Sequence, residues 1–431
     1  MKKKLMIAMG ALLLPLASQA EDLLALYEKA AESDPVIRAA QATRDANRLA
    51  EPLARAGLLP NVSLSGRLDY NRQDPAGAPS DSYRSDSLTL NLVQPLFRKD
   101  RWVSLEQAKE QVKQADADYA AAKQALILRV AEAYFGVLSA RENLVFAEAE
   151  KKAIARQLEQ AKERFEVGLV AITDVHEAQA RYDQSKANVI TARNEVDNAV
   201  EALRQIVADT EGDLDDLKEA LPLVPPEPAS LDEWSELALK NNPTLRSARL
   251  QAEVARKNIE LQRAGHYPSL DLVGSLGHSD SNASSGRDVD TGVIGLQLAL
   301  PIYSGGAVVT GTRQAAHQFT AAQENLDAQR REVVRQVRDA YRGIQAAISR
   351  VGALKATVRS ALSALEATEA GFEAGTRTLV DVLNSQRDLF RARRDYAQAR
   401  YDYVLSTLRL LNAAGTLSEE DVRRVNAWLQ G

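Results

Sequence analysis

The most constraining feature of this sequence is an internal repeat that relates its two halves. ERFEVGLVAITDV at 163–175 is echoed by GFEAGTRTLVDV at 371–382, about 207 residues further along the chain. Two other matched segments keep nearly the same spacing: VAEAYFGV at 130–137 with VRDAYRGI at 337–344, and LVQPLF at 92–97 with LALPIY at 298–303. A period this long lies far beyond the roughly 20–50 residues of solenoid repeats and indicates the duplication of a domain-sized unit. The fold must therefore accommodate two related halves.

Proline placement predicts a long helical hairpin in each half. No proline lies between Pro95 and Pro222 or after Pro301, and in both stretches apolar residues recur at helical spacing among good helix formers. Each stretch is interrupted by a glycine, Gly168 or Gly375, which can take the left-handed conformation that ends a helix. The predicted hairpins span 102–211, with a tip near 165–174, and 306–413, with a tip near 372–381.

The two helices of each predicted hairpin differ in length. In the first half the outgoing helix measures ~96 Å at 1.5 Å per residue, whereas the returning helix measures only ~54 Å. A further helix from Pro35 to about Gly57, and its counterpart at 243–265, would extend each returning helix if it stacked end to end with it. The expected result is a rod of paired helices about 100 Å long.

Each half also carries two segments with the period of a β-strand. Within 61–97 and 269–303 apolar side chains such as Val62, Leu64 and Leu68 alternate with polar ones, so a sheet built from them has one apolar and one polar face. Strands of about ten residues with these faces can cross an outer membrane; a soluble sheet that caps the rod is the alternative. Because the smallest barrels have about eight strands, four strands require partners. Two chains would supply eight strands and three would supply twelve, so the strand count alone does not distinguish a dimer from a trimer.

The N-terminal residues predict export. Residues 1–20 combine three lysines, a short apolar run and small residues at the end, which is the pattern of a secretory signal peptide. No later apolar run approaches the ~20 residues of a membrane-spanning helix, so we expect membrane insertion to use strands. The chain has no cysteine, which excludes disulfides, thiolate metal sites and lipid attachment to an N-terminal cysteine.

Charge argues against nucleic acid as a partner. The formal net charge is −5, and it becomes about −8 once the three lysines of the signal peptide are removed. Acidic and basic residues are mixed throughout the chain, as on solvated helix faces.

The signal peptide, the duplication, the strand pairs and above all FEVGLVAITDV and GTRTLVDVL resemble the TolC-like family of outer membrane channel-tunnels. The resemblance covers the whole mature chain. It implies a mainly helical fold with a β-barrel portion: a homotrimer with a twelve-stranded barrel among outer membrane lipids, continued by a long antiparallel coiled-coil tunnel in the periplasm. The two structural repeats would be 21–225 and 226–431.

The same resemblance implies a passive export function. A channel of this kind would carry drugs, small molecules and, in type I secretion, proteins. It would dock with a periplasmic adaptor and an inner membrane transporter of the ABC, RND or MFS class. No cofactor, metal or catalytic residue is expected, since no nucleophile, base and acid constellation occurs. The alternative is a periplasmic coiled-coil adaptor, but adaptors carry one hairpin in a soluble β domain, whereas this sequence predicts two hairpins and four amphipathic strands.

The resemblance assigns adaptor binding to two triplets at the predicted tips. In the family these read VGL and VGT, and the second departs here by one alanine. The alternative role for the two glycines is helix capping, and the two roles are compatible. The triplets are Val167, Gly168 and Leu169, and Ala374, Gly375 and Thr376.

The family's closing contacts between neighbouring hairpins carry over to Thr173, Asp174 and Arg377. An arginine can bind a carboxylate through two parallel donors, so such a bridge can resist opening and still be broken. Asp174 and Asp381 also lie where helices are predicted to begin, and the alternative is that their carboxylates only stabilise the helix ends.

Two residues depart from the family pattern at the expected constriction. Asp381 and Asn384 are three apart and share a helix face, whereas the family has aspartate at both positions. Phe372 stands where the family has a tyrosine. We therefore expect a weaker block by cations and a closed state that lacks one hydrogen bond per subunit.

Overall fold

Two helices of nearly equal length dominate the structure. The computed structural model describes residues 21–74, 80–210, 214–283 and 288–430; the expected signal peptide, 1–20, lies outside these residues. In chain order the elements are α1 (Leu23–Ser33), α2 (Pro35–Arg48), α3 (Ala50–Ala56), β1 (Asn61–Gln73), β2 (Asp81–Phe97), α4 (Lys99–Glu166), α5 (Ile172–Val207), α6 (Leu231–Asn241), α7 (Pro243–Arg263), β3 (Ser269–Ser281), β4 (Val289–Ala299), α8 (Ala307–Glu373), α9 (Leu379–Ala414) and α10 (Glu419–Asn426).

The two long helices end in the same way. Helix α4 has 68 residues and α8 has 67. Gly168 and Gly375 follow them with φ angles of +74° and +73°. The next amide after each glycine donates to a carbonyl in the last turn: Leu169 to Arg164 and Thr376 to Gly371, both at 2.8 Å. These are the left-handed glycine caps that the sequence predicted.

Each returning helix meets a shorter helix at a buried junction. Asn242 caps α7 by accepting from the Leu245 amide at 3.0 Å, and its side-chain amide donates to the Ala413 carbonyl at the end of α9 at 3.0 Å. A Cβ atom on Gly415 would lie 2.4 Å from the Asn242 Cα, so only glycine fits there. At the equivalent junction of the first half, the Ser33 hydroxyl donates to the Lys29 carbonyl of its own helix at 2.8 Å and lies 3.4 Å from the Ile206 carbonyl of α5. Helices α2 and α7 thus continue the lines of α5 and α9.

One sequence expectation is wrong in detail. The single helix expected from Pro35 to about Gly57 is interrupted at Leu49, which separates α2 from α3. Leu49 donates its amide to the Ala46 carbonyl at 3.1 Å, a tighter three-residue turn.

The four strands form one antiparallel sheet in the order β1-β2-β3-β4. Cross-strand partners such as Leu64 with Leu90, and Leu90 with Leu276, place most of the apolar residues on one face. That face carries Val62, Leu64, Leu68, Leu88, Leu90, Leu92, Leu270, Leu272, Leu276, Ile294, Leu296 and Leu298. The opposite face is mainly polar and carries Ser63, Ser65, Arg67, Asp69, Thr89, Asn91, Ser275 and Gln297, together with Val93, Val273 and Val293. Apolar residues on one face and polar ones on the other suit a surface with lipid on one side and water on the other.

An ion pair joins the sheet to the helices. Arg98 lies between β2 and α4, and its guanidinium donates to both carboxylate oxygens of Asp271 on β3 at 3.0 and 2.6 Å. The Asp271 side chain is 8% exposed. Such a bidentate, buried contact fixes the direction in which α4 leaves the sheet.

The apolar interior of the described residues falls into two clusters. The larger lies at mid-length, where α1, α6 and α10 pack with α4, α5, α8 and α9, and includes the fully buried Tyr134, Phe135 and Tyr403. The smaller, which we call the tip cluster, consists of Ile154, Leu158, Ala161, Ala178, Leu379 and Leu383. None of the described helices combines the length and apolar character needed to span a bilayer.

Candidate functional site

The tip cluster brings the two hairpins together at their turns. Leu379 and Leu383 from the start of α9 pack with Ile154 and Leu158 from α4, while Phe372 from the end of α8 lies against the same group. Both turns, 167–171 and 374–378, are therefore held side by side.

The first adaptor triplet exposes two large apolar side chains. Val167 is 70% exposed and Leu169 is 74% exposed. A Cβ atom on Gly168 or Gly375 would meet nothing within 4 Å, so the positive φ, and not crowding, is what requires glycine there. In the second triplet the exposed residues are the smaller Ala374 and Thr376. The two turns share a backbone shape and differ in the surface they present.

Asp381 forms a capping box at the start of α9. Its carboxylate accepts from the Thr378 amide at 2.9 Å and from the Thr378 hydroxyl at 2.8 Å, while its own amide donates to that hydroxyl oxygen at 3.2 Å. These hydrogen bonds, first from the Thr378 amide, together with the nearby Arg377, hold the pKa of Asp381 below its usual value. The capping role foreseen for Asp381 is confirmed.

The first copy has no such box. Ala171 occupies the position of Thr378, and α5 begins without a side-chain cap. Within the described chain, the Asp174 carboxylate has no hydrogen bond or ion pair, and Thr173 beside it is exposed. Asp174 therefore lies in the first turn of α5 with its acceptor oxygens free for a neighbouring molecule.

The Arg377 side chain is also free to bind a neighbouring molecule. Its side chain is exposed, and among the described residues its guanidinium makes no hydrogen bond or ion pair. A Cβ atom on Gly371 would lie 2.7 Å from the Arg377 Cγ, so Gly371 provides the space in which the arginine stem lies. No hydrogen bond joins Arg377 to Thr173 or Asp174 within the chain.

The two residues of the expected constriction lie on one side of α9. Asp381 and Asn384 are both partly exposed. Next to them, Ser385 donates to Thr368 at 3.2 Å and Gln386 donates to Glu369 at 3.4 Å. These bonds tie α9 to α8, while Leu383 packs in the tip cluster with residues of α4 and α5. Both hairpins therefore position the constriction residues.

Sequence reasoning missed a contact between the hairpins. The Arg164 guanidinium of α4 lies over the Phe372 ring of α8, 4.6 Å from its centroid. Phe165, the repeat counterpart of Phe372, is 41% exposed. This is a cation–π contact, and no spacing rule could have paired residues from separate hairpins.

Beyond the tip cluster, the groove between the hairpins is polar. It is lined in part by Glu150 of α4, Arg181 of α5, and Arg387 and Arg391 of α9. Burial raises the pKa of the Glu150 carboxyl, against the opposing effect of Arg394, Arg387 and Arg391. The hairpins therefore meet through apolar contacts at the tip and at mid-length, with a polar interface between. No His, Cys, Asp and Glu grouping suited to a metal occurs in the described part of the chain.

Comparison with known proteins identifies the family. The model of the outer membrane efflux protein family matches twice, at 26–209 and 234–416. The chain is 44% identical to outer membrane protein TolC of Vibrio cholerae, covering 100% of this chain and 99% of that protein. It is 34% identical to alkaline protease secretion protein AprF of Pseudomonas aeruginosa, covering 93% and 86%. The solved structure of the outer membrane protein VceC from Vibrio cholerae superposes with a TM-score of 0.78 at 20% identity, covering 91% and 96%.

The chain therefore belongs to the outer membrane efflux protein family. The predicted family and the mainly helical fold with a four-stranded antiparallel sheet per chain are confirmed. So are the channel function and the outer membrane location with a helical tunnel in the periplasm. These matches support the channel and not the alternative prediction, a periplasmic coiled-coil adaptor.

We predict that Arg164→Gln loosens the tip only when Phe372 is present. A cation–π contact at a partly exposed site contributes ~0.5–1 kcal/mol, which corresponds to about two- to fivefold faster hydrogen exchange at tip amides. Exchange at 164–172 and 372–380, measured by mass spectrometry, should rise in Arg164→Gln. In a Phe372→Leu background the arginine substitution should add nothing.

Phe165→Leu is the matched control, since this exposed ring has no cation over it. An equal increase in exchange from Arg164→Gln in the wild-type and Phe372→Leu proteins would show that the arginine stabilises the tip through a contact other than the Phe372 ring.

Proposed function

We propose that three copies of this chain close a twelve-stranded barrel and a helical tunnel that exports small molecules and, in type I secretion, proteins. The observation that carries the proposal is a sheet with one apolar face, one polar face and two unpaired edges, joined directly to two long helical hairpins. Relatives named for protease secretion, at 34% and 30% identity, support the protein cargo. The two matches of the family model support 21–225 and 226–431 as the repeats.

The tips are the proposed docking site for a periplasmic adaptor, which would link the channel to an inner membrane transporter of the ABC, RND or MFS class. Val167 and Leu169 support this proposal, since two large apolar side chains at the end of a rod are costly to leave in water. The second triplet offers a flatter surface of small residues around the same glycine turn.

The proposed gate is an intersubunit latch at the same tips. Arg377 would bind Asp174 and Thr173 of a neighbouring hairpin, and both partners are free of hydrogen bonds within the described chain. Asp381 would form a ring of carboxylates at the constriction, with Asn384 as a neutral second layer. Phe372 would act through its packing against Arg164.

Purified protein in planar bilayers tests the channel proposal and its latch. Wild-type channels should show a small conductance, and Arg377→Ser should raise it severalfold, because each copy loses a charge-assisted hydrogen bond worth ~1.5–3 kcal/mol. Arg423→Ser is the matched control, because it removes an exposed, ion-paired arginine of α10, away from the tips. An unchanged conductance in Arg377→Ser would remove Arg377 from the gate.

A second prediction concerns cation block at the constriction. Asp381→Asn should weaken block by a multivalent cation added from the periplasmic side, and Asn384→Asp should strengthen it by adding a second carboxylate ring. Because the pKa of Asp381 is lowered, its charge is lost only as the pH falls through that lowered value. Block should therefore stay constant from about pH 8 to about pH 5.

Single-channel titration with the cation gives the block constant at each pH. Asp232→Asn is the control, as the same change in the first turn of another helix, α6, away from the tips. A block that weakens between pH 8 and pH 5 would point to a different titrating group.

Adaptor docking gives a third prediction. Leu169→Glu should abolish co-purification with the adaptor encoded in the same cell, because it places a charge in the apolar tip surface. Val224→Glu is the control: Val224 is also apolar and is 54% exposed, but it lies at mid-length. Retention of the adaptor by the Leu169→Glu protein would exclude the first turn as its docking surface.

A further inference from the structure

A surface recess lies at the helical end of the sheet, where α7 ends and α8 begins. It has a volume of about 440 Å³ and is lined by Arg263, His266, Tyr267, Val309, Thr312 and Arg313. The last three of these residues are three and four positions apart and so share one face of α8. Strand β3 begins only two residues after Tyr267, so the recess marks the boundary between sheet and helices. We call it the collar recess.

The collar recess is cationic. Arg263 and Arg313 are exposed, and within the described chain neither guanidinium makes a hydrogen bond or an ion pair. No carboxylate of the described residues lines the recess, although acidic residues outnumber basic ones in the chain as a whole. His266 adds a ring nitrogen that can donate a hydrogen bond. An anion in the recess would therefore meet two free guanidinium groups and no competing acid.

Thr312 supplies a hydroxyl whose hydrogen-bonding capacity is unused. Its Oγ1 is buried and has no partner among the described residues. Three other threonines of α8 donate instead to the carbonyl four residues before them: Thr320, Thr357 and Thr368. Because buried polar atoms are almost always hydrogen-bonded, an isolated one that lines a recess points to a bound molecule. A ligand with an acceptor oxygen would satisfy this hydroxyl.

The surroundings of the collar recess are apolar and exposed. Leu300 and Ile302 continue the alternate apolar positions of β4 and are 58% and 93% exposed, and Tyr303 beside them is 87% exposed. Tyr267, which lines the recess, is 50% exposed. The wall of a water-filled channel is polar, whereas exposed aromatic side chains next to basic ones are typical of a membrane–water interface. The recess therefore suits a ligand with an anionic head and an apolar tail.

We propose that the collar recess binds the phosphate of an anionic phospholipid in the periplasmic leaflet of the outer membrane. This inference rests on the proposed barrel, which places the helical end of the apolar face at that leaflet. Arg263 and Arg313 bind the phosphate oxygens, and the Thr312 hydroxyl donates to one of them. The acyl chains lie along Leu300 and Ile302. Inorganic phosphate shares the chemistry of the head group, but it would leave these exposed apolar side chains uncovered.

The first repeat lacks the binding groups at the equivalent place. Glu106 stands where α8 has Arg313, and Leu105 stands where it has Thr312. Leu105 is buried, and the Glu106 carboxylate pairs with Lys257 at 2.6 Å. The site therefore belongs to the second repeat alone, and a trimer would have three of them.

The first repeat also indicates that flanking helices leave this surface accessible. Helix α4 contacts both α3 and α7, yet the Arg55 side chain is 61% exposed and Trp102 is 52% exposed. Their repeat counterparts are Arg263 and Val309 of the collar recess. We therefore expect the recess to stay open when a neighbouring copy flanks α8.

Lipid titration of purified, delipidated full-length protein tests the site. The probes are dioleoyl phosphatidylglycerol, which is anionic, and dioleoyl phosphatidylcholine, which is not, and native mass spectrometry counts the lipids bound. One arginine near an anionic lipid contributes about fivefold in affinity, so the wild type should prefer phosphatidylglycerol by about tenfold or more. Arg263→Gln with Arg313→Gln should abolish the preference. Thr312→Val, which keeps both arginines, should weaken phosphatidylglycerol binding by about two- to tenfold through the loss of one hydrogen bond.

Arg55→Gln with Arg101→Gln is the matched control, because it removes two exposed arginines at the same level of the first repeat. This variant should keep the wild-type preference. An unchanged preference in Arg263→Gln with Arg313→Gln, or an equal loss in the control, would overturn the site. Inorganic phosphate forms a separate arm: displacement of phosphatidylglycerol by a similar concentration of inorganic phosphate would overturn the assignment to a lipid.

Bilayer conductance of the same proteins separates failure of this inference from failure of the proposed function. Wild-type channels that conduct but show no preference for phosphatidylglycerol would leave the proposed function intact and overturn the lipid site. A wild-type protein that does not conduct would contradict the proposed channel, and with it the placement of the recess at the membrane.

Discussion

The hydrogen bonding of the sheet edges is the constraint on which the rest of the structure depends. A strand in hydrocarbon cannot leave a row of amides and carbonyls unpaired, since each such group costs several kcal/mol. Four strands with an apolar face therefore cannot be a finished membrane structure. The helical hairpins must be arranged around the same copies of the chain, because Arg98 and Asp271 fix α4 to the sheet. Whatever symmetry closes the barrel also sets the symmetry of the tunnel.

Along the tunnel, packing is distributed unevenly. The mid-length cluster surrounds fully buried aromatics such as Tyr134 and Tyr403, whereas the tip cluster is small and separate. Between them the hairpins meet across the groove that contains Glu150 and Arg391. A continuous apolar interface would make separation of the hairpins cost free energy in proportion to its length. A polar interface with a small apolar contact at its end confines that cost to the tips. There the free energy of separating the apolar contact is comparable to that of breaking the few hydrogen bonds of the proposed latch.

Sequence reasoning was strongest where structure is set by local rules. The glycine caps at Gly168 and Gly375, the two-residue period of the strands and the summed helix lengths all depend on residues close in the chain, and the structure bears them out. The break at Leu49 was missed because a single tight turn leaves no mark on helical periodicity. The contact of Arg164 with Phe372 was missed for a different reason: it depends on how two hairpins lie against each other, which neither sequence segment specifies.

The duplication bears on two features of the proposed channel: a wall of repeated contacts and a latch between unlike hairpins. Where the two copies keep the same residue pairs, as in Leu64 with Leu90 and Leu272 with Leu296, internal and intersubunit contacts can follow one pattern around a ring. At the tips the copies have diverged. Thr378 satisfies Asp381 within its own helix, while Ala171 leaves Asp174 without that bond. The lost cap in one copy thus leaves a carboxylate without a side-chain partner in its own helix. Divergence of the repeats therefore supplies the proposed latch with a carboxylate that two identical capping boxes would not leave free.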